Sequence, residues 1–189
     1  MNPVCLSLEA FTRTRRRIGV LPTQWLLVAV IQDQALYLLK RSRLSDGVSN
    51  RLNWRLLKRY RMSSSRFGVG QKEESNRTPL GLHRIAEKIG GGYPPGTVFK
   101  GRVPVGWTWQ GTPDAAIAHR ILWLEGLEPG VNLGAGVDTH ARYIYVHGVG
   151  DESTLGRPAS RGCLHLAAAD LIPLYDRIPV GTLVWIAER

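Results

Sequence analysis

Two apolar segments, Trp25 to Ile31 and Ala35 to Lys40, are rich in Leu, Val, Ile and Tyr and flank the polar turn Gln32-Asp33-Gln34. This pattern predicts an antiparallel hairpin. Trp54 to Met62 alternates basic residues with Leu56, Leu57, Tyr60 and Met62, which fits a strand or a short basic helix. Ile117 to Leu124 and Arg142 to His147 are dominated by β-branched, aromatic and aliphatic residues and bounded by turn formers, the signature of central strands. Leu171, Leu174, Tyr175 and Ile178 fall at helical spacing before Pro179 and Gly181, so Ala167 to Ile178 is the one clear helix. Thr182 to Ala187 reads as a closing strand.

The intervening stretches are polar or glycine-rich. Residues 41–53 read as a flexible loop, and Phe67 to Gly106 carries Gly90-Gly91-Gly92, Pro94, Pro95 and Gly96, which forbids long helices. Residues 1–22 lack clear periodicity and end near Pro22, so they read as an irregular basic N-terminal arm. The sum is a mainly β domain over 23–189, a sandwich or barrel with one or two helices and a polar, basic insertion at about 41–66.

Charge sharpens this division. Of the 25 Lys and Arg, 13 lie in residues 1–66 with only three acids, and the remainder of the chain is neutral. Such a surface attracts polyanions without specifying which. An anionic cell-envelope polymer meeting basic residues 13–66 is one partner, and a solvated basic face is the plain alternative. No helix-turn-helix, zinc finger or RNA-recognition pattern supports specific nucleic-acid binding. Arg13, Arg15, Arg16 and Arg17 before Leu26 to Ile31 imitate a signal sequence, but the apolar stretch runs on into the second half of the hairpin and no small-residue cleavage site follows. No run approaches the ~20 apolar residues of a membrane span. Two cysteines, Cys5 and Cys163, cannot make a disulfide framework, and no ligand spacing suggests a metal.

The candidate chemistry lies near the C-terminus. In an Arg142 to His147 strand the side chains of Tyr143, Tyr145 and His147 share one face. A turn-rich loop from Gly148 returns to Ser160-Arg161-Gly162-Cys163-Leu164-His165. A loop of this kind can bring the Cys163 thiol to the His147 imidazole, which would lower the thiol pKa. Gly162 lets the backbone approach a substrate, so N–H groups of Arg161, Gly162 and Cys163 can converge on an oxyanion, with Gly148 close by. The second nitrogen of His147 needs an orienting partner, and a carbonyl near Gly148 or His140 is the simplest.

Tyr143-Ile144-Tyr145-Val146-His147-Gly148 followed by Ser160-Arg161-Gly162-Cys163-Leu164 resembles the His-Gly and Ser-x-Gly-Cys signature of the L,D-transpeptidase (YkuD-like) catalytic domain, and Thr78-Pro79-Leu80-Gly81 resembles that family's Thr-Pro-x-Gly segment. The resemblance covers roughly residues 24–187. It implies a cofactor-free peptidoglycan enzyme in the cell envelope or periplasm, acting on stem peptides as a monomer. Cys163 would be the nucleophile, His147 the base, and Ser160, His165 and Tyr145 substrate contacts. Cys163 would attack the carbonyl of the third stem residue, a diamino acid, expel D-alanine and pass the acyl group to an amine. Water as acceptor would give an L,D-carboxypeptidase. Family members commonly carry Arg or Asn where this chain has His165, and often His where it has Arg161, which leaves a catalytically weakened peptidoglycan-binding module as the other alternative.

Bland readings accompany the remaining residues. His83 reads as structural, His119 and His140 as surface histidines, and Ser160 equally as a turn cap. Trp107, Trp109 and Trp123 either stack on sugars or pack.

Overall fold

The computed structural model describes residues 3–42 and 53–189, with side chains from Ser7 onward. The role of Cys5 and most of the 41–53 loop lie outside the described residues. The strands are β1 (Trp25–Val30), β2 (Ala35–Ser42), β3 (Asn53–Ser63), β4 (Gly81–Ile89), β5 (Thr97–Lys100), β6 (Val103–Trp107), β7 (Ala118–Gly126), β8 (Tyr145–Gly148), β9 (Leu164–Leu166) and β10 (Leu183–Ala187). Two helices, α1 (Pro3–Arg17) and α2 (Ala168–Arg177), accompany them.

The sheet runs β4-β10-β1-β2-β3-β9-β8-β7-β5-β6, and β4 also pairs with β7. Eight strands therefore close on themselves as a barrel, which removes the free edges of an open sheet. β5 and β6 form a hairpin hung on β7 through Val98 and Ala118. The predicted hairpin is present, with Trp25 opposite Lys40 and Val30 opposite Ala35. The barrel interior is filled by Leu27, Ala29, Leu36, Leu38, Met62, Ile85, Leu122, Val146, Leu164 and Val184, each from a different register position but the same face of its strand. α2 lays Leu171, Leu174 and Tyr175 onto this core.

Four expectations are corrected. The N-terminal arm is helical over Pro3–Arg17. Its buried stripe, Ser7, Phe11 and Arg15, recurs every fourth residue, too narrow to stand out among the arginines. Phe11 is fully buried against Trp54 and Trp185, at ring separations of 6.0 and 6.3 Å. Most of the described part of the supposed insertion is β3, a barrel strand paired with β2 and β9, with an irregularity at Leu38/Leu39 that breaks its alternation. The Arg142 to His147 strand shortens to Tyr145–Gly148, because Tyr143 adopts a φ of 56° and the chain turns there. His119 is buried rather than at the surface: the Gly96 N–H donates to its Nδ1 at 2.8 Å, and its Nε2 lies 3.3 Å from the Val149 carbonyl.

Candidate active site

β8 and β9 run parallel, with Val146 opposite Leu164, His147 opposite His165 and Gly148 opposite Leu166. Val146, Leu164 and Leu166 enter the barrel core. Period two then directs His147, Cys163 and His165 to the opposite face, where all three line one cavity of about 430 Å³. A parallel pair requires a long crossover, and the turn-rich loop from Val149 to Gly162 supplies it. The expected meeting of Cys163 and His147 at one site follows from this register.

His147 is buried, and its Nδ1 lies 2.8 Å from the Gly148 carbonyl. A carbonyl only accepts, so Nδ1 carries the proton and Nε2 keeps its lone pair. Gly148 thus orients the His147 ring, and does so through its carbonyl rather than as an oxyanion donor. Its Cα packs where a Cβ would come 2.6 Å from His119 Cδ2, so only glycine fits. Burial lowers the His147 pKa to about 4, which keeps the imidazole neutral at ordinary pH.

The thiol departs from expectation. Cys163 Sγ lies 3.4 Å from the Tyr145 N–H and 3.5 Å from the Tyr143 carbonyl, and it has no hydrogen bond to His147 among the described residues. Desolvation pushes its pKa up to about 11, with the Tyr145 N–H and Arg142 acting the other way. The resting pair is a neutral thiol and a neutral imidazole, not a thiolate and an imidazolium. His165 packs 4.7 Å from the His147 ring, and its Nδ1 has no partner among the described residues. Burial first, and repulsion from His147 second, lower its pKa to about 3.

The loop before Cys163 is held by interlocking hydrogen bonds. The Gly162 N–H donates to Ser160 Oγ at 3.1 Å, and the Ser160 hydroxyl donates to the Cys163 carbonyl at 2.6 Å. Thr78 Oγ1 donates to the Gly162 carbonyl at 3.0 Å and accepts the Ser65 N–H at 3.0 Å. Gly162 has a φ of +123°, and a Cβ there would sit 3.0 Å from Ile144 Cδ1. The Gly162 N–H is therefore engaged, while the N–H groups of Arg161 and Cys163 have no acceptor among the described residues.

One expected substrate contact falls elsewhere: Tyr145 is buried against Trp123, its hydroxyl accepting from Arg102 at 3.3 Å. Ser160, His165 and Arg161 do line the cavity, although the Ser160 hydroxyl is engaged in the loop. Sequence reasoning missed Thr78 as the brace of the Gly162 carbonyl, although it stands in the quoted Thr-Pro-x-Gly segment. It also missed Arg142, whose guanidinium donates to the Gly70, Gln71 and Arg77 carbonyls and is the cation that stabilises a Cys163 thiolate. Arg66 and Arg161 supply positive charge to the cavity walls, and Asp114 and Asp151 supply negative charge.

The family of the L,D-transpeptidase catalytic domain, YkuD, matches residues 27–186, which takes in the barrel apart from the ends of β1 and β10, with both strands that line the cavity. The chain belongs to this family. As an L,D-transpeptidase-family domain, it is 35% identical over 71 residues to YqjB of Bacillus subtilis (strain 168), covering 34% of this chain and 40% of YqjB. Among solved structures it is similar to Bd1075 of Bdellovibrio bacteriovorus, at 14% identity and a TM-score of 0.52 over 88% of this chain and 49% of that one. It is equally similar to a variant of the helical cell shape determining protein Pgp2 of Campylobacter jejuni, at 16% identity and a TM-score of 0.52 over 89% and 48%. The chain spans about half the length of these two structures, and at such identities the likeness is one of fold.

Proposed function

We propose that this domain is a cysteine-dependent acyltransferase acting on peptidoglycan stem peptides, with Cys163 as nucleophile and His147 as general base. The observation that carries the reading is the parallel register of β8 and β9. It sets a cysteine and a buried, neutral histidine with one committed nitrogen on the wall of the same cavity.

A neutral base suits a neutral thiol. As Sγ attacks the carbonyl of the third stem residue, His147 Nε2 takes the thiol proton, the S–C bond forms, and negative charge moves to the carbonyl oxygen. The free N–H groups of Cys163 and Arg161 are the donors for that oxygen, and removing one such donor typically costs ~10²–10³ in rate. Collapse breaks the C–N bond to D-alanine, whose amine receives the proton from His147. An incoming amine then loses its proton to His147 as it attacks the thioester, and a crosslink replaces the S–C bond. The two signs of charge in the cavity match a peptide that carries both: Arg66 and Arg161 for a terminal carboxylate, Asp114 and Asp151 for the diamino acid's ammonium.

Water as acceptor makes the same site an L,D-carboxypeptidase. The raised thiol pKa, and a His165 Nδ1 without a partner among the described residues, favour a slower, wall-binding role as the second reading. The substrate places the protein in the cell envelope. The exposed side chains of Arg55, Arg59 and Arg61 on β3 then face its anionic polymers.

Incubation with purified disaccharide-tetrapeptide, followed by mass analysis, tests the reading. Transpeptidation yields crosslinked dimers with release of D-alanine, and hydrolysis yields trimmed monomers only. Binding to wall sacculi with neither product, unchanged by Cys163→Ala, would establish the wall-binding role instead.

A further inference from the structure

Among the described strands, the β5–β6 hairpin alone stands outside the closed barrel, and its outer strand is unusually apolar for an exposed edge. Val103 and Val105 are 60% and 59% exposed, and Trp107 and Trp109 are 38% and 62% exposed. The two indoles are stacked, with centroids 6.1 Å apart and planes 20° from parallel. They are also held in place. The Thr108 N–H donates to the Gly96 carbonyl at 2.8 Å, the Gln110 N–H to the Trp107 carbonyl at 3.0 Å, and the Thr112 hydroxyl to the same carbonyl at 3.0 Å. Trp109 lies over Gly96, where a Cβ would come 2.3 Å from the ring and φ is +84°. A rigid, exposed aromatic pair is a binding surface rather than a packing remnant.

Its position connects it to the active site. The segment that leaves the tryptophans, Thr108 to Ile117, becomes the cavity wall at Asp114 to Ile117, and it is tied to the opposite lip by the Gly150 N–H donating to the Ala115 carbonyl at 2.8 Å. In the sheet order, β6 lies three strands from β8. At ~4.8 Å per strand, that is about 14 Å from the His147 strand.

Resting on the acyl-transfer reading above, we propose that Trp107 and Trp109 form a carbohydrate platform, which holds an N-acetylated, β-linked amino-sugar strand while its attached stem peptide reaches Cys163. Three extended residues span about 10 Å, so a sugar joined to the first stem residue lies near the hairpin when the third residue's carbonyl is at Sγ. The C–H faces of pyranose rings stack on indoles, and the valine stripe suits acetamido methyl groups. Polar side chains interleave with the rings at Thr108 and Gln110. They suit sugar hydroxyls, and burying them in a bilayer would leave them unsatisfied.

The test uses the full chain as Cys163→Ser, so that binding is read without turnover. A β-1,4-linked N-acetylglucosamine tetramer is titrated while the indole N–H signals are followed by NMR. Saturable shifts of the Trp107 and Trp109 signals, with affinity weakened about three- to tenfold in Trp109→Ala, are the expected result. With Cys163 restored, the KM advantage of disaccharide-tetrapeptide over free tetrapeptide should shrink by the same factor in Trp109→Ala. Trp109 is the more exposed ring, and Trp109→Phe should retain part of the effect. Absence of saturable shifts overturns the platform whatever the activity. Partition onto phosphatidylglycerol vesicles without a response to the saccharide overturns it in favour of a membrane surface. Indole shifts without turnover of either peptide leave the platform standing and overturn the acyl-transfer reading alone.

Discussion

His83 and His147 are both buried, and in both cases burial lowers the pKa to about 4, yet they occupy different kinds of site. On β4, His83 has both nitrogens committed: Nδ1 to the Gly81 carbonyl at 3.0 Å and Nε2 to the Thr139 hydroxyl at 3.2 Å. His119 is likewise held at both nitrogens. On β8, His147 commits only Nδ1 among the described residues, and its ring opens onto the cavity that holds Cys163. Burial and a displaced pKa are therefore common to both, and what distinguishes His147 is hydrogen-bonding capacity left unspent beside a cavity, the feature on which its proposed role rests.

The sharpest way to break this comparison is to remove each ring in turn. His147→Ala should lower acyl transfer by ~10²–10⁴ while the protein stays folded. His83→Ala should instead destabilise the fold by roughly 1–3 kcal/mol, because the Thr139 hydroxyl and the Gly81 carbonyl lose their partner. Thermal melts and turnover per folded molecule distinguish the two outcomes.

A neutral resting pair makes the next prediction. Iodoacetamide alkylation of Cys163 should climb about tenfold per pH unit through pH 8–10, because the thiolate fraction keeps rising toward a pKa of about 11. A plateau reached near pH 6 would mean a thiolate–imidazolium pair.

The buried histidines also predict acid lability. Their folded pKa values lie below the unfolded value of about 6.5, so the stability they confer is intact above pH 6.5 and is lost as pH falls toward 4. The unfolded chain takes protons that the folded chain excludes. Unfolding free energies from urea melts should fall over this window by roughly 1.4 kcal/mol per pH unit for each such histidine.

The smallest effect tests the brace. Thr78→Val removes the hydroxyl that serves both the Ser65 N–H and the Gly162 carbonyl, and should cost about 1–3 kcal/mol in stability. A loss of acyl transfer beyond that expected from unfolding would place the brace in the positioning of the Cys163 loop.

Much of this was legible in the sequence where it depended on local period. The β1–β2 hairpin, the α2 stripe and the shared face of Tyr145 and His147 follow from spacing alone. The parts that were not legible depend on contacts between distant segments. The Gly162 N–H looked free until Ser160 folded back onto it, and the thiolate looked favourable until the barrel wall removed water from Cys163. Phe11 showed no partner within its own segment, because Trp54 and Trp185 reach it from β3 and β10. Ser160 and Tyr145 carry the polar groups expected of substrate contacts, but the fold uses them internally.

The central claim is that Cys163 is the nucleophile and His147 its neutral base. Intact-mass spectrometry of the folded protein after exposure to a carbapenem, with peptide mapping of the product, tests it most directly. The account predicts one covalent adduct per chain on Cys163, none in Cys163→Ala, and formation slowed by ~10²–10⁴ in His147→Ala. A folded wild-type protein that gains no adduct, or gains it at Cys5, would contradict it.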